Sequence, residues 1–169
     1  MTENGGELEP GPAAPLLRLR PVREEDCRLL WEWANDPDVR ALSFHSGSIS
    51  WDEHLAWFHR TLGDSSVALY LVQDKDDRPV GVVRFTGDGR GSAVVSITIA
   101  GESRGRGFGG EALVSGVQAY LKDTGIRVLH AYIKRENTRS IKTFRHAGFR
   151  STGLVEREGQ MVYEMVLKG

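Results

Sequence analysis

The stretch Val95-Ser96-Ile97-Thr98-Ile99 followed by Arg104-Gly105-Arg106-Gly107-Phe108-Gly109-Gly110 decides how the rest of the chain is read. Val95 to Ile99 alternates apolar and polar side chains, the pattern of a strand with one buried face. From Glu111 to Lys122, Ala112, Leu113, Val117, Tyr120 and Leu121 recur at helical spacing. The glycines therefore stand between a strand end and a helix start. Four glycines and two arginines there leave backbone N–H groups free to point outward. The helix N-terminus adds partial positive charge, typically worth about 0.3–1 kcal/mol to a nearby anion. A phosphate or pyrophosphate is the guest this chemistry predicts.

Spacing narrows the choice among phosphate binders. A P-loop needs Lys then Ser or Thr after its last glycine, and Gly110 is followed by Glu111-Ala112. The dinucleotide fingerprint G-x-G-x-x-G is met only in part: counted from Gly105 its third glycine is Gly110, with Gly109 standing one residue early. Downstream, Asn137 is a suitable N-cap, Ile141 and Phe144 give one apolar side, and Gly148 is a C-terminal stop before Phe149.

Arg104-x-x-Gly107-x-Gly109 resembles the acyl-CoA pyrophosphate loop of the GNAT N-acetyltransferases. That family also carries Asn, a small residue three on, an aromatic seven on, then Gly-Phe. Asn137, Ser140, Phe144, Gly148 and Phe149 stand in that register.

The composition agrees with an enzyme of this size. The chain has 169 residues, enough for one domain with a substantial core. Its 22 Lys and Arg against 23 acids give a net charge of −1, so no global basic field points to nucleic acid or an anionic membrane. A single cysteine, Cys27, excludes an internal disulfide framework, and no Cys/His cluster has zinc spacing. No apolar run approaches the ~20 residues of a membrane span, and no apolar stretch of signal-peptide type follows Met1. A cytoplasmic location, with no nucleic-acid or membrane partner and no metal, is the expectation.

Residues 1–15, rich in Gly, Pro, Glu and Ala, are expected to form a disordered leader, and residues 16–168 a single domain. Strands are expected at residues 16–20, where Leu and Arg alternate, at the apolar run 67–72, and at 80–86, 92–100 and 127–134, with a closing hairpin of 149–156 and 160–167 around Glu158-Gly159. Helical stripes are Cys27-Leu30-Trp31-Ala34 and Trp51-Leu55-Phe58-Leu62, the second opened by the capping box Ser50-Trp51-Asp52-Glu53. Asn35-Asp36-Pro37-Asp38 reads as a break, and residues 39–49 as irregular. The order β-α-α-β-β-β-α-β-α-β-β resembles the GNAT topology: an α/β fold with a mixed, mostly antiparallel sheet of about seven strands and four helices.

The resemblance implies an N-acetyltransferase using acetyl-CoA as co-substrate, with a small-molecule amine as partner and homodimerisation left open. Carried over, the backbone of Ile97, Thr98 and Ile99 holds the pantetheine arm and acetyl carbonyl. Arg104, Gly105, Arg106, Gly107, Phe108, Gly109 and Gly110 hold the pyrophosphate, and Asn137, Ser140 and Phe144 line the pantetheine. Many members have tyrosine where this chain has Phe144, and its hydroxyl is held to protonate the leaving thiolate. With a thiol pKa near 8.5 the thiolate leaves tolerably without a strong acid. Tyr132 is the replacement to test, against the plain reading of a strand aromatic. Ser96 could order a water that relays the amine proton; His130, Thr98 and Glu102 are nearby alternatives.

The acceptor region of the family corresponds to the stretch between the first two helices, and residues 31–40 and 49–58, which frame it, hold all four tryptophans: Trp31, Trp33, Trp51 and Trp57. Arg40, Phe44 and His45 are the substrate-binding candidates, Arg40 either pairing with a diphosphate or forming an ion pair with Asp36 or Asp38. The combination resembles the branch that acetylates nucleotide-linked amino sugars, and also the ribosomal-protein N-terminal acetyltransferases. Asp36, Asp38, Asp52 and Glu53 keep a polyamine or drug amine open. A catalytically silent acyl-CoA-binding module is the alternative from another class.

Overall fold

The computed structural model describes residues 16–169; the expected leader, residues 1–15, lies outside the described residues. The strands are β1 (Leu17–Pro21), β2 (Val67–Asp74), β3 (Pro79–Gly87), β4 (Ser92–Ile99), β5 (Val128–Lys134), β6 (Arg150–Arg157) and β7 (Gln160–Lys168). The α-helices are α1 (Cys27–Ala34), α2 (Pro37–Leu42), α3 (Trp51–Leu62), α4 (Phe108–Thr124) and α5 (Thr138–His146). The strands form one sheet in the order β1-β2-β3-β4-β5-β7-β6. Every neighbouring pair is antiparallel except β4 with β5.

Period-2 alternation gives the sheet two different faces. Val83, Phe85, Ala93, Val95, Leu129, Ala131, Ile133 and Met165 bury one face under Phe108, Ala112, Leu113, Val117 and Tyr120 of α4 and Phe144 of α5. Phe85 stacks on Tyr120 with ring centroids 4.3 Å apart. The opposite face, through Leu69, Leu71 and Val82, takes Leu30 and Trp33 of α1 and Phe58 of α3. Gly81 is required where β3 meets β4, because a Cβ there would stand 2.6 Å from the Thr98 carbonyl oxygen.

Two elements differ from the sequence reading. Asp36-Pro37 starts a helix: the Asp36 carboxylate accepts from the Asp38 and Val39 N–H groups, and Pro37 occupies the first turn. That adds the short α2 to the four expected helices. The helix expected from Glu111 begins at Phe108, because Gly107 takes the left-handed conformation (φ 79°, ψ 0°) and Phe108 buries its ring in the core. Gly109 and Gly110 thus belong to a helical first turn.

The feature that makes room for a ligand is the β4–β5 junction. The two strands pair over three steps only, Ser92 with Val128, Ala93 with Leu129 and Val94 with His130. Past that point they part.

Candidate active site

The gap opened by β4 and β5 is the middle of a cavity of about 1200 Å³. One end is walled by Gly105, Gly107, Gly109 and Gly110, the other by Trp33 of α1, Trp57 of α3 and Arg84 of β3. Strand alternation fixes which β4 backbone groups face the gap. Ala100 N–H donates to the Val80 carbonyl at 2.9 Å, so in this register Thr98 and Ser96 exchange bonds with Val82 and Arg84. Ile97 and Ile99 point their N–H and C=O groups away from β3, into the gap. The Thr98 backbone is thus committed to the sheet, a correction to its expected role, while its side chain lines the cavity. The side chains of Ile97 and Ile99 pack against the core.

At the glycine end, no side chain caps α4, whose first turn presents its N–H groups to the cavity. A Cβ at Gly105, Gly107 or Gly110 would meet nothing within 4 Å, but φ of 75° at Gly105 and 79° at Gly107 suits glycine. Open space, uncapped donors and a 17-residue helix behind them fit a pyrophosphate. The arginines are placed differently from expectation. Arg104 turns to α2, with Nη2 3.4 Å from Asp36 Oδ1 and Nη1 3.1 Å from Asp38 Oδ2, while Nε donates to the Ile99 carbonyl at 3.1 Å. It clamps the glycine turn to the acceptor region. Arg106 lies over the Phe108 ring at 4.5 Å, and its side chain is not among those lining the cavity. On α5, Asn137 Oδ1 accepts from Ser140 N–H at 3.1 Å, making Asn137 the helix cap. Asn137, Ser140, Thr143 and the buried Phe144 line the cavity; Thr143, one helical step from Ser140, was not singled out by the motif.

Ser96 and Tyr132 reach the cavity from opposite strands. Tyr132 belongs to a cluster centred on Glu164 of β7. Its hydroxyl donates to Glu164 Oε1 at 3.3 Å, His130 Nδ1 lies 3.0 Å from the same oxygen, and the Thr152 hydroxyl donates to Oε2 at 2.7 Å. The Thr152 bond, with those of His130 and Tyr132, holds the Glu164 carboxyl below the usual range against the upward push of burial. Burial pushes the Tyr132 hydroxyl up; Arg157, 4.0 Å from the ring centroid, pulls the other way. A phenol with a raised pKa keeps its proton at neutral pH, and the Arg157 cation stabilises the charge left when that proton is given up. Glu164 was legible only as a lone acid in an apolar strand.

The acceptor candidates need the largest correction. Arg40 is an internal strut: Nε donates to the Ala34 carbonyl at 2.6 Å, Nη1 to the His45 carbonyl at 2.9 Å and Nη2 to Ser43 Oγ at 3.1 Å. It forms no ion pair with Asp36 or Asp38, and Nε, Nη1 and Nη2 each have a partner within the chain. His45 Nε2 lies 2.8 Å from Glu158 Oε2, and the Phe44 carbonyl accepts from Gln160 at 2.9 Å. The segment between α2 and α3 is therefore tied to the β6–β7 turn, across the cavity. Trp31 and Trp51 pack edge to face at 5.4 Å between α1 and α3 and serve packing. Trp33 and Trp57 line the cavity, with buried His54, whose Nε2 bonds the Cys27 carbonyl at 2.9 Å.

A strand pair parting beside a glycine turn and an uncapped helix matches known proteins. The profile of the acetyltransferase (GNAT) domain matches residues 17–150. The chain belongs to the GNAT acetyltransferase family. This GNAT domain superposes on spermidine N-acetyltransferase from Vibrio cholerae in complex with CoA and spermine, with TM-score 0.81 and 20% identity over 90% of this chain and 95% of that one. It superposes as well on the aminoglycoside acetyltransferase AAC(6')-Ib in complex with ribostamycin and coenzyme A, with TM-score 0.79 and 20% identity over 90% and 93% of the two chains. An uncharacterised protein of Methanocaldococcus jannaschii is 27% identical over 150 residues, 88% of this chain. The GNAT domain spans 31% of that relative's length. Among the described residues, no helix is long and apolar enough to cross a membrane.

Proposed function

We propose that this GNAT domain transfers the acetyl group of acetyl-CoA to a primary amine carried on a nucleotide-linked amino sugar. Acetyl-CoA would supply an acyl thioester in the gap between β4 and β5. The first turn of α4 binds its pyrophosphate, and the backbone edge at Ile97, with the Ile99 N–H beside it, orients its arm. Ser96 holds the water that takes the amine proton, and Tyr132 gives a proton to the departing sulfur. Positioning and proton handling of this kind account for most of the rate such a reaction needs.

The observation that carries the acceptor reading is the charge of the cavity wall. Arg84, Lys134, Arg139 and Arg157 line it with no carboxylate partner among the described residues, against three acids, Asp38, Glu53 and Glu158; Arg40 and Arg104 line it too but are held by the chain. Each acid is engaged: Asp38 by Arg104, Glu53 by the Ser50 cap, and Glu158 by His45. Such a wall favours an anionic acceptor over the polycations that the names of the two structural neighbours imply. The flat rings of Trp33 and Trp57 suit a sugar or base face.

The test is transfer from acetyl-CoA to a panel of a UDP-linked amino sugar, spermidine, an aminoglycoside and a ribosomal N-terminal peptide, with products identified by mass spectrometry. The UDP-linked amino sugar is expected to be acetylated fastest. Faster transfer to spermidine, the aminoglycoside or the peptide overturns the acceptor reading; CoA binding with no transfer to any amine favours a silent acyl-CoA module.

A further inference from the structure

Within β3, Val80-Gly81-Val82-Val83-Arg84-Phe85, one charged side chain interrupts an apolar run. Arg84 stands opposite Ser96 on β4 and Leu69 on β2, on the sheet face that α3 covers. Its guanidinium lies 6.0 Å from the Trp57 ring centroid. Among the described residues it has neither a carboxylate nor a hydrogen-bond partner, unlike Arg20, Arg40 and Arg104. The one buried side-chain polar atom without a partner among those residues is Thr86 Oγ1, so the Arg84 nitrogens are not sealed from solvent. An unpaired cation set into a protein wall is costly unless something compensates it.

Arg84 and Trp57 also wall a side cleft of about 240 Å³, whose lining adds Arg60, Thr61, Thr86, Val67 and Asp64. Thr86 follows Arg84 by two residues on one strand face, and Arg60 follows Trp57 by one helical turn. Arg60 is exposed and has no ion-pair partner among the described residues. Asp64, the one acid here, turns its carboxylate to its own loop, accepting from Ser66 N–H at 2.9 Å and Ser66 Oγ at 2.7 Å. Two guanidinium groups and an aromatic face thus meet at a side cleft that shares Arg84 and Trp57 with the acceptor end of the cavity. That is the donor set of a phosphate site.

We propose that Arg84 and Arg60, with Trp57, form an oxyanion subsite that binds a phosphate group of the acceptor. The subsite anchors the acceptor at its far end, and the strand register of Arg84 with Ser96 directs its amine toward the gap where β4 and β5 part. This names the part of the acceptor that the enzyme reads, and as a statement about the acceptor it rests on the acetyl-transfer reading above; binding of the phosphate itself does not.

The test is titration calorimetry on the full chain saturated with CoA, so that the pyrophosphate seat is filled, using UDP and uridine as probes. Wild type is expected to bind UDP at least about tenfold more tightly than uridine. In Arg84→Gln that gap closes, with CoA affinity unchanged, and in Arg84→Lys it is partly kept. Arg60→Gln, at an exposed position, narrows it severalfold and serves if Arg84→Gln does not fold. Equal affinity for UDP and uridine in wild type overturns the subsite, and so does an undiminished gap in both Arg84→Gln and Arg60→Gln. A gap that depends on Arg84, found together with no acetyl transfer to any amine, upholds the subsite and overturns the acetyl-transfer reading.

Discussion

Ser96 and Tyr132 stand at the same step of the sheet, each two residues beyond the last β4–β5 pair of Val94 with His130. Continued in that register, the two strands would put these residues side by side; because the strands part, they front the gap from its two walls. Tyr132→Phe is expected to lower kcat about 10–100-fold and to leave the KM for acetyl-CoA nearly unchanged, since a proton carrier acts in the transition state. Ser96→Ala, which in this proposal removes a water contact, should cost less. Steady-state kinetics read both; an unchanged kcat in Tyr132→Phe would assign the proton to another group.

Gly107 holds φ at 79° with open space where a Cβ would stand. Gly107→Ala is therefore a test of conformation and not of bulk. The left-handed residue costs an alanine roughly 1–2 kcal/mol, which the turn can avoid by moving the first N–H groups of α4. CoA affinity measured by calorimetry should fall about tenfold, with the melting temperature lowered by only a few degrees. Unchanged affinity would mean that the pyrophosphate is held elsewhere.

Arg40 joins the end of α1 to the segment between α2 and α3 through carbonyl oxygens of Ala34 and His45. Arg40→Ala should cost about 1–3 kcal/mol of stability, the range for charge-assisted and buried bonds. Its kinetic effect should be the same for phosphate-bearing and phosphate-free amines, in contrast to Arg84→Gln. Urea midpoints and KM values for a matched pair of amines check this. A loss confined to the phosphate-bearing amine would return Arg40 to direct contact with the acceptor.

The sheet was legible from alternating stretches such as Leu17–Arg20 and Val95–Ile99 and from the apolar run at residues 67–72, and the glycine turn because Arg-x-x-Gly-x-Gly sits at a strand-to-helix junction. The rest depended on partners that spacing does not reveal. Arg104 meets Asp36 and Asp38, 68 and 66 residues away, so a motif arginine became a clamp on α2. Arg40 bonds carbonyls brought to it by loop closure. Asp36-Pro37 read as a helix break, although Asp as N-cap before Pro in the first turn is also a start signal. Arg84 was passed over because a charge within an apolar strand stands out only once its neighbours are known to offer it no partner.

Asp26 is buried and accepts from Arg20 Nη1 at 2.8 Å, Arg20 Nη2 at 2.9 Å and the Arg23 N–H at 2.8 Å. Burial pushes its carboxyl up, but the Arg20 and Arg23 bonds outweigh this and hold it below the usual range. A depressed carboxylate stabilises the fold above its unfolded pKa of about 3.9 and loses that contribution as pH falls through the folded value. Asp26→Asn should therefore cost about 1–3 kcal/mol at pH 7, the range for charge-assisted hydrogen bonds in a part-buried pair. The difference from wild type should shrink at pH 3. Urea unfolding at the two pH values reads it, and an equal difference at both would remove ionisation of Asp26 from the account.

The most direct measurement is a crystal structure of the chain with CoA. The pyrophosphate is expected within hydrogen-bond distance of the first N–H groups of α4, with the pantetheine arm along Ile97 and Ile99 and the sulfur in the gap between Ser96 and Tyr132. CoA seated outside the parting of β4 and β5, or a thiol end pointing away from Tyr132, would contradict the account.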